Sequence, residues 1–167
     1  MVFPNKYIKM CKEAIELRKL WKPQKGDYIY DYCYKSRGII IGSFVESSVE
    51  VLWLDIKGMS DFTPDSSTIP LWRQDQLEAM SGLSRDIFSA EFLDWLLTYK
   101  ERTKHTAIIE LTLAFVMFRK YGKIWDNNKS KWIERKEKEN LEEELREGKE
   151  KLKLITKKWN CLLYTSD

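Results

Sequence analysis

The stretch from His105 to Tyr121 constrains this chain more than any other. Ile108, Ile109, Leu111, Leu113, Phe115, Val116 and Phe118 point in nearly every direction at helical spacing. A helix apolar all round is a central helix, and other elements must surround it. Gly122 ends it, and Arg119 and Lys120 sit at its negative end.

The surrounding elements can be read from their own periods. Asn5 to Leu20 has the pattern of an amphipathic helix: Ile8, Cys11, Ala14 and Ile15 share one face, and Leu17, Leu20 and Trp21 close it. Pro23 stops that helix, and Gly26-Asp27 turns into a strand-forming run from Tyr28 to Tyr34. Ser36-Arg37-Gly38 reads as a turn, with further apolar runs at Ile39–Phe44 and Val49–Ile56. Together these predict an antiparallel meander. Lys57 to Pro70, with Gly, Ser, Asp and two prolines, reads as a loop. Asp75-x-x-Glu78 has the form of a capping box, placing Asp75 at the N-cap of a short helix through about Met80. Phe88, Phe92, Trp95, Leu96 and Tyr99 share a helical face. The expected fold class is α+β, a small antiparallel sheet packed with several helices over residues 1–128.

Composition supports a single body of this kind. The chain has 167 residues, 43% of them hydrophobic, with seven Trp, eight Tyr and seven Phe to fill a core. A net charge of +3, left from 29 basic and 26 acidic side chains, is too small for a dedicated nucleic-acid binder. No apolar run reaches the roughly 20 residues that span a bilayer, and Met1 to Lys12 lacks a signal-peptide core. No membrane association is expected. Cys11, Cys33 and Cys161 fit neither a disulfide framework nor a zinc pattern, so they read as reduced, mostly buried thiols of a cytoplasmic protein.

Residues 129–160 differ in texture. They are densely charged, and Leu141, Leu145, Leu152, Ile155 and Trp159 fall on alternating steps of four and three if Gly148 takes one seam position. Glycine there costs roughly 1 kcal/mol relative to alanine. Two readings stand: a long solvated charged helix with one edge on the body, or a coiled coil that makes a homodimer through those five side chains. The tail, residues 161–167, is similar to translated sequencing-adapter read-through at the ends of metagenomic gene predictions.

Catalytic chemistry has little to stand on. His105 is the only histidine and has no local nucleophile pattern. No metal-ligand spacing and no phosphate-binding glycine loop is present, so no metal and no cofactor is expected. Glu142 to Glu144 reads as a solvated helical face. Two polar clusters are candidate binding sites. Trp72, Arg73, Gln74 and Gln76 gather an aromatic ring, a guanidinium and two amides at a helix start, where an anion can dock and a base can stack. The alternative is that Trp72 plugs the core, Asp75 caps and Arg73 pairs with a carboxylate. Arg119, Lys120, Lys123 and Lys129, interleaved with Tyr121 and Trp125, have the pattern of a single-strand binder, or of ordinary dipole compensation.

Three segments in order carry a resemblance: Lys-Leu-Trp-Lys-Pro-Gln-Lys-Gly-Asp (19–27), Trp-Arg-Gln-Asp-Gln-Leu-Glu-Ala-Met (72–80) and Leu-Ala-Phe-Val-Met-Phe-Arg-Lys-Tyr-Gly-Lys-Ile-Trp-Asp (113–126). The chain resembles, over residues 7–128, a family of small hypothetical proteins of phages and prophages of Clostridium- and Bacillus-type bacteria. Members usually read Trp-Leu-Pro-Arg-Gln-Asp-Gln-Leu at the central motif. Here Pro70-Leu71-Trp72 exchanges the Trp and the Pro, while Arg73 to Leu77 match. The charged extension after Lys129 is longer than members typically have.

The resemblance implies an accessory role in the cytoplasm of a bacterial host. The leading expectation is a non-enzymatic anti-defence inhibitor, for example an anti-CRISPR protein, that binds a bacterial host defence protein. Two alternatives are a sponge for a nucleotide signal or other small anionic ligand, held by Trp72, Arg73 and Gln76, and a nucleic-acid-binding accessory protein using Arg119 to Lys131.

Overall fold

A computed structural model describes residues 3–42, 48–55, 59–64, 67–99, 107–135 and 150. The chain divides into two compact units, Met1–Trp132 and Ile133–Asp167. Most of the second lies outside the described residues, and so do His105, Cys161 and the seam residues Leu141, Leu145, Leu152, Ile155 and Trp159.

The first unit is α+β and is built on helix α5, Ile108–Tyr121. Leu113, Ala114, Phe115, Val116 and Met117 are all buried, as are Glu110 and Thr112. The Glu110 carboxylate meets Lys6 Nζ at 3.5 Å, so the buried charge has a counter-ion. Gly122 closes the helix at φ 64°, a left-handed position where glycine carries no Cβ penalty. Four helices pack nearby: α1 (Asn5–Glu13), α2 (Ile15–Leu20), α3 (Gln74–Ser81) and α4 (Arg85–Thr98). From α4, Phe88, Phe92 and Trp95 reach the Phe115 ring at centroid distances of 5.2, 5.4 and 5.6 Å.

Five strands form the sheet: β1 (Tyr28–Asp31), β2 (Ser36–Ile40), β3 (Ser48–Trp53), β4 (Ser60–Pro64) and β5 (Thr68–Pro70), in the order β4-β3-β2-β1-β5, all antiparallel. Alternation divides its faces. Tyr28, Tyr30 and Ile69 turn to the helical core, while Ile29, Ile40, Val49, Val51 and Trp53 make a second core on the other face. Asp31 on β1 accepts a hydrogen bond from Thr63 on β4, although two strands lie between them in the sheet. That contact requires the sheet to curl around the second core.

Curling explains Gly38. The sequence reads it as a turn, yet it pairs with Trp53 inside β2 and faces the inner side of the curl. A methyl there would collide with Val51 Cγ1 and stand 3.2 Å from the Leu52 carbonyl oxygen. Gly38→Ala is expected to destabilise the protein by about 1–3 kcal/mol, measured by urea unfolding. The real turn precedes it. Asp31 Oδ1 accepts the amides of Cys33 and Tyr34 at 2.7 and 3.0 Å, and Lys35 takes φ 50°.

Other expectations need correction. The helix expected over Asn5–Leu20 breaks at Ala14, whose ψ of 61° leaves the helical region. The Arg18 guanidinium then donates to the Lys12 carbonyl at 3.2 Å, satisfying an acceptor at the end of α1. The loop expected over Lys57–Pro70 contains β4 and β5. Residues 131–134, expected within the charged helix, form strand β7 (Lys131–Glu134), paired with β6 (Lys123–Asp126). Asp126 caps the turn between them, and Trp132 and Ile133 favour a strand. Cys11 is buried as expected of the thiols, but Cys33 is exposed. No helix among the described residues is long and apolar enough to cross a membrane.

Candidate partner-binding groove

The cluster at Trp72 is tied into the fold. Trp72 is only 1% exposed, which leaves no ring face for a ligand to stack on. The N-cap of helix α3 is Arg73, not Asp75. The Gln76 Oε1 atom accepts the Arg73 amide at 2.8 Å. The box is one-sided, because a guanidinium has no acceptor with which to cap in return. Arg73 instead holds Asp75 through two bonds of 3.1 Å and reaches the Gly26 carbonyl at 3.2 Å. Its charge keeps the Asp75 carboxyl below its ordinary pKa. Gln76 Nε2 donates to Asp27 at 2.7 Å, and Gln74 bonds Glu78 at 2.9 Å on the surface. These side chains clasp the start of α3 to the turn before β1.

Three cations of the second cluster have partners within the protein, two of them carboxylates. Arg119 pairs with Glu91 at 2.7 Å, Lys120 donates to the Met80 carbonyl at 2.7 Å, and Lys123 pairs with Glu16. Trp125, 1% exposed, packs edge-on against Trp132 at 5.1 Å and cannot stack on a base. Cys11 is no nucleophile: burial pushes its thiol well above the usual range, outweighing the Tyr7 hydrogen bond. Among the described residues, no group of three or more His, Cys, Asp or Glu could hold a metal ion.

A different surface offers open chemistry. Ile15, Arg18, Lys19, Trp21, Pro23 and Thr68 line a groove of about 450 Å³ where α2 leads towards the sheet. Its floor is set by Trp21, whose Nε1 donates to Asp27 at 2.9 Å and whose ring packs on the second core. Ile15, the aliphatic side chain of its lining, is 52% accessible. Arg18 is steadied by its bond to the Lys12 carbonyl, and neither Arg18 nor Lys19 has an ion pair among the described residues. Cation, aromatic and aliphatic groups therefore stand together with their recognition capacity intact. Sequence reasoning assigned Trp21 to the apolar face of the first helix and gave Arg18 and Lys19 no role in binding. Their juxtaposition with Thr68 depends on the sheet.

No protein-family model, no curated protein and no solved structure matches the chain.

Proposed function

We propose that this is a non-enzymatic, phage-encoded accessory protein, an anti-defence inhibitor of the anti-CRISPR kind, that acts by binding a bacterial effector protein. The phage setting rests on the resemblance in residues 19–27, 72–80 and 113–126. Action by contact rests on the groove, where Arg18 and Lys19 stand beside exposed apolar side chains. Such a surface fits an acidic patch with an apolar centre on a partner.

The double variant Arg18→Glu with Lys19→Glu reverses the charge of the groove without touching the core. It is expected to weaken capture of a host effector from bacterial lysate at least tenfold, which is about 1.4 kcal/mol. Recovery of the same host proteins in the same amounts would falsify the groove reading.

A second reading, sequestration of a small anionic ligand such as a nucleotide, moves here from Trp72 and Arg73. It is favoured by the groove's volume of about 450 Å³, inside the range of small-molecule sites. A nucleotide at a hundredfold excess over its Kd adds about 2.7 kcal/mol to stability, so a thermal-shift panel separates the readings. The nucleic-acid reading loses its main support, because the cations of the 119–123 stretch already have partners within the protein.

A further inference from the structure

Helix α4 is apolar on two opposite faces. Phe88, Phe92 and Trp95 turn inward and are buried. Helical rotation of about 100° per residue puts Ala90, Leu93 and Leu97 in a line on the other side, with Ile87 one turn before Ala90. All four are exposed, with Ile87 51%, Leu93 61% and Leu97 77% accessible. The outer face of a surface helix is ordinarily polar, so large aliphatic groups in register along one are an interaction surface rather than scattered exposure. From Ile87 to Leu97 the stripe runs about 15 Å at the helical rise, which matches some three turns of a second helix.

The charges beside the stripe choose the partner. Asp86 lies in line with Leu93 and Leu97, and Asp94 lies between Ala90 and Ile87 in azimuth. Both are exposed, and neither makes an ion pair among the described residues. The basic residue of this helix, Arg85, points away towards Glu78 at 3.9 Å. Glu91 is taken by Arg119. The stripe therefore presents aliphatic groups flanked by two exposed carboxylates that have no ion-pair partner among the described residues.

We propose that the outer face of α4 docks an amphipathic basic helix of a partner protein, with apolar side chains at helical spacing over Leu93 and Leu97 and Lys or Arg against Asp86 and Asp94. This surface is independent of the cationic groove on α2 and selects the opposite charge.

The test uses the full chain and two fluorescein-labelled synthetic helices. One has Leu at the a and d heptad positions and Lys elsewhere; the other replaces every Lys with Glu. Anisotropy at physiological salt is expected to show the Leu/Lys helix binding at least tenfold tighter than the Leu/Glu helix. Leu93→Glu with Leu97→Glu is expected to lose that binding at least tenfold. Asp86→Lys with Asp94→Lys is expected to reverse the preference between the two helices. Arg18→Glu with Lys19→Glu is expected to leave it unchanged, so failure of the groove and failure of this face are told apart. All substituted side chains are exposed, and should the double leucine variant not fold, the aspartate pair decides alone. Equal binding of both helices, or binding indifferent to the aspartates, overturns the proposal. So does a concentration-dependent dimer in light scattering that Leu97→Glu dissolves, because the occupant would then be a second copy of the chain.

Discussion

Replacing Trp72 with alanine is expected to lower the free energy of unfolding by about 3–5 kcal/mol, the range for removing a large buried aromatic. Domains of this size are stable by about 5–15 kcal/mol, so the change removes a large share of what holds the fold. The ring is 1% exposed and belongs to the helical core between Leu71 and Leu77. Its backbone carbonyl accepts the Tyr7 hydroxyl at 2.6 Å, which ties α1 to the segment leading into α3. The indole Nε1 is buried without a hydrogen-bond partner. The side chain therefore stabilises by volume and shape, not by its polar handle. Trp72→Phe should cost clearly less than the alanine change, since it keeps most of the ring and deletes the unpaired N–H. Urea unfolding of the three proteins checks both statements. A ligand-stacking role would predict a different outcome: normal stability in Trp72→Ala with binding lost. A cost below about 1 kcal/mol would rule out the core assignment.

The elements legible from sequence were those whose pattern is local. Residues 108–121 declare a buried helix because apolar side chains occur at every azimuth, and Phe88, Phe92 and Trp95 fall at helical steps. Strands β4 and β5 were not legible. Ser60-Asp-Phe-Thr-Pro64 has one large apolar side chain, and it is exposed. What makes the segment a strand is its pairing with β3, from Ser48 against Pro64 to Leu52 against Ser60. That is tertiary context overriding a weak local preference. The same division holds at the candidate sites. Trp72, Arg73 and Gln76 look like a ligand cluster when read along the chain. Their partners Tyr7, Gly26 and Asp27 lie 47–65 residues away and turn the cluster into a clasp. Arg18 and Lys19 look like an ordinary helix end. They matter because neither forms an ion pair among the described residues, which only the three-dimensional arrangement reveals. The outer stripe of α4 was visible as aliphatic residues in the sequence, but a helix with two apolar faces can be tiled on either side until its neighbours are known.

Asp31→Ala is expected to be as damaging as the tryptophan change, at about 3–5 kcal/mol, through a different cause. The residue is 0% exposed, and its carboxylate is the acceptor at the centre of the curled sheet. Oδ1 takes the turn amides of Cys33 and Tyr34, while Oδ2 takes the hydroxyls of Thr63 and Ser67. Deleting it strands the buried Thr63 hydroxyl and three part-buried donors at once and releases the tie that brings β4 across to β1. Burial alone would raise its pKa. The Thr63 and Ser67 hydroxyls and the two amides outweigh burial and hold the carboxyl below its ordinary value. The sign of the pH dependence follows. A carboxyl depressed on folding contributes its full stabilisation above the unfolded pKa of about 3.9 and loses it as pH falls through the folded value. Asp31→Asn keeps the shape and one acceptor but has no charge to titrate. The stability difference between wild type and Asp31→Asn should therefore be constant from pH 7 to about 5 and shrink below about 4. Asp55 and Asp75, whose pKa values are also lowered by their arginine partners, titrate identically in both proteins and cancel from that difference. Should the difference stay level down to pH 3, the charge on Asp31 is not what holds the curl, and the hydroxyls and amides around it would be doing so with a neutral partner.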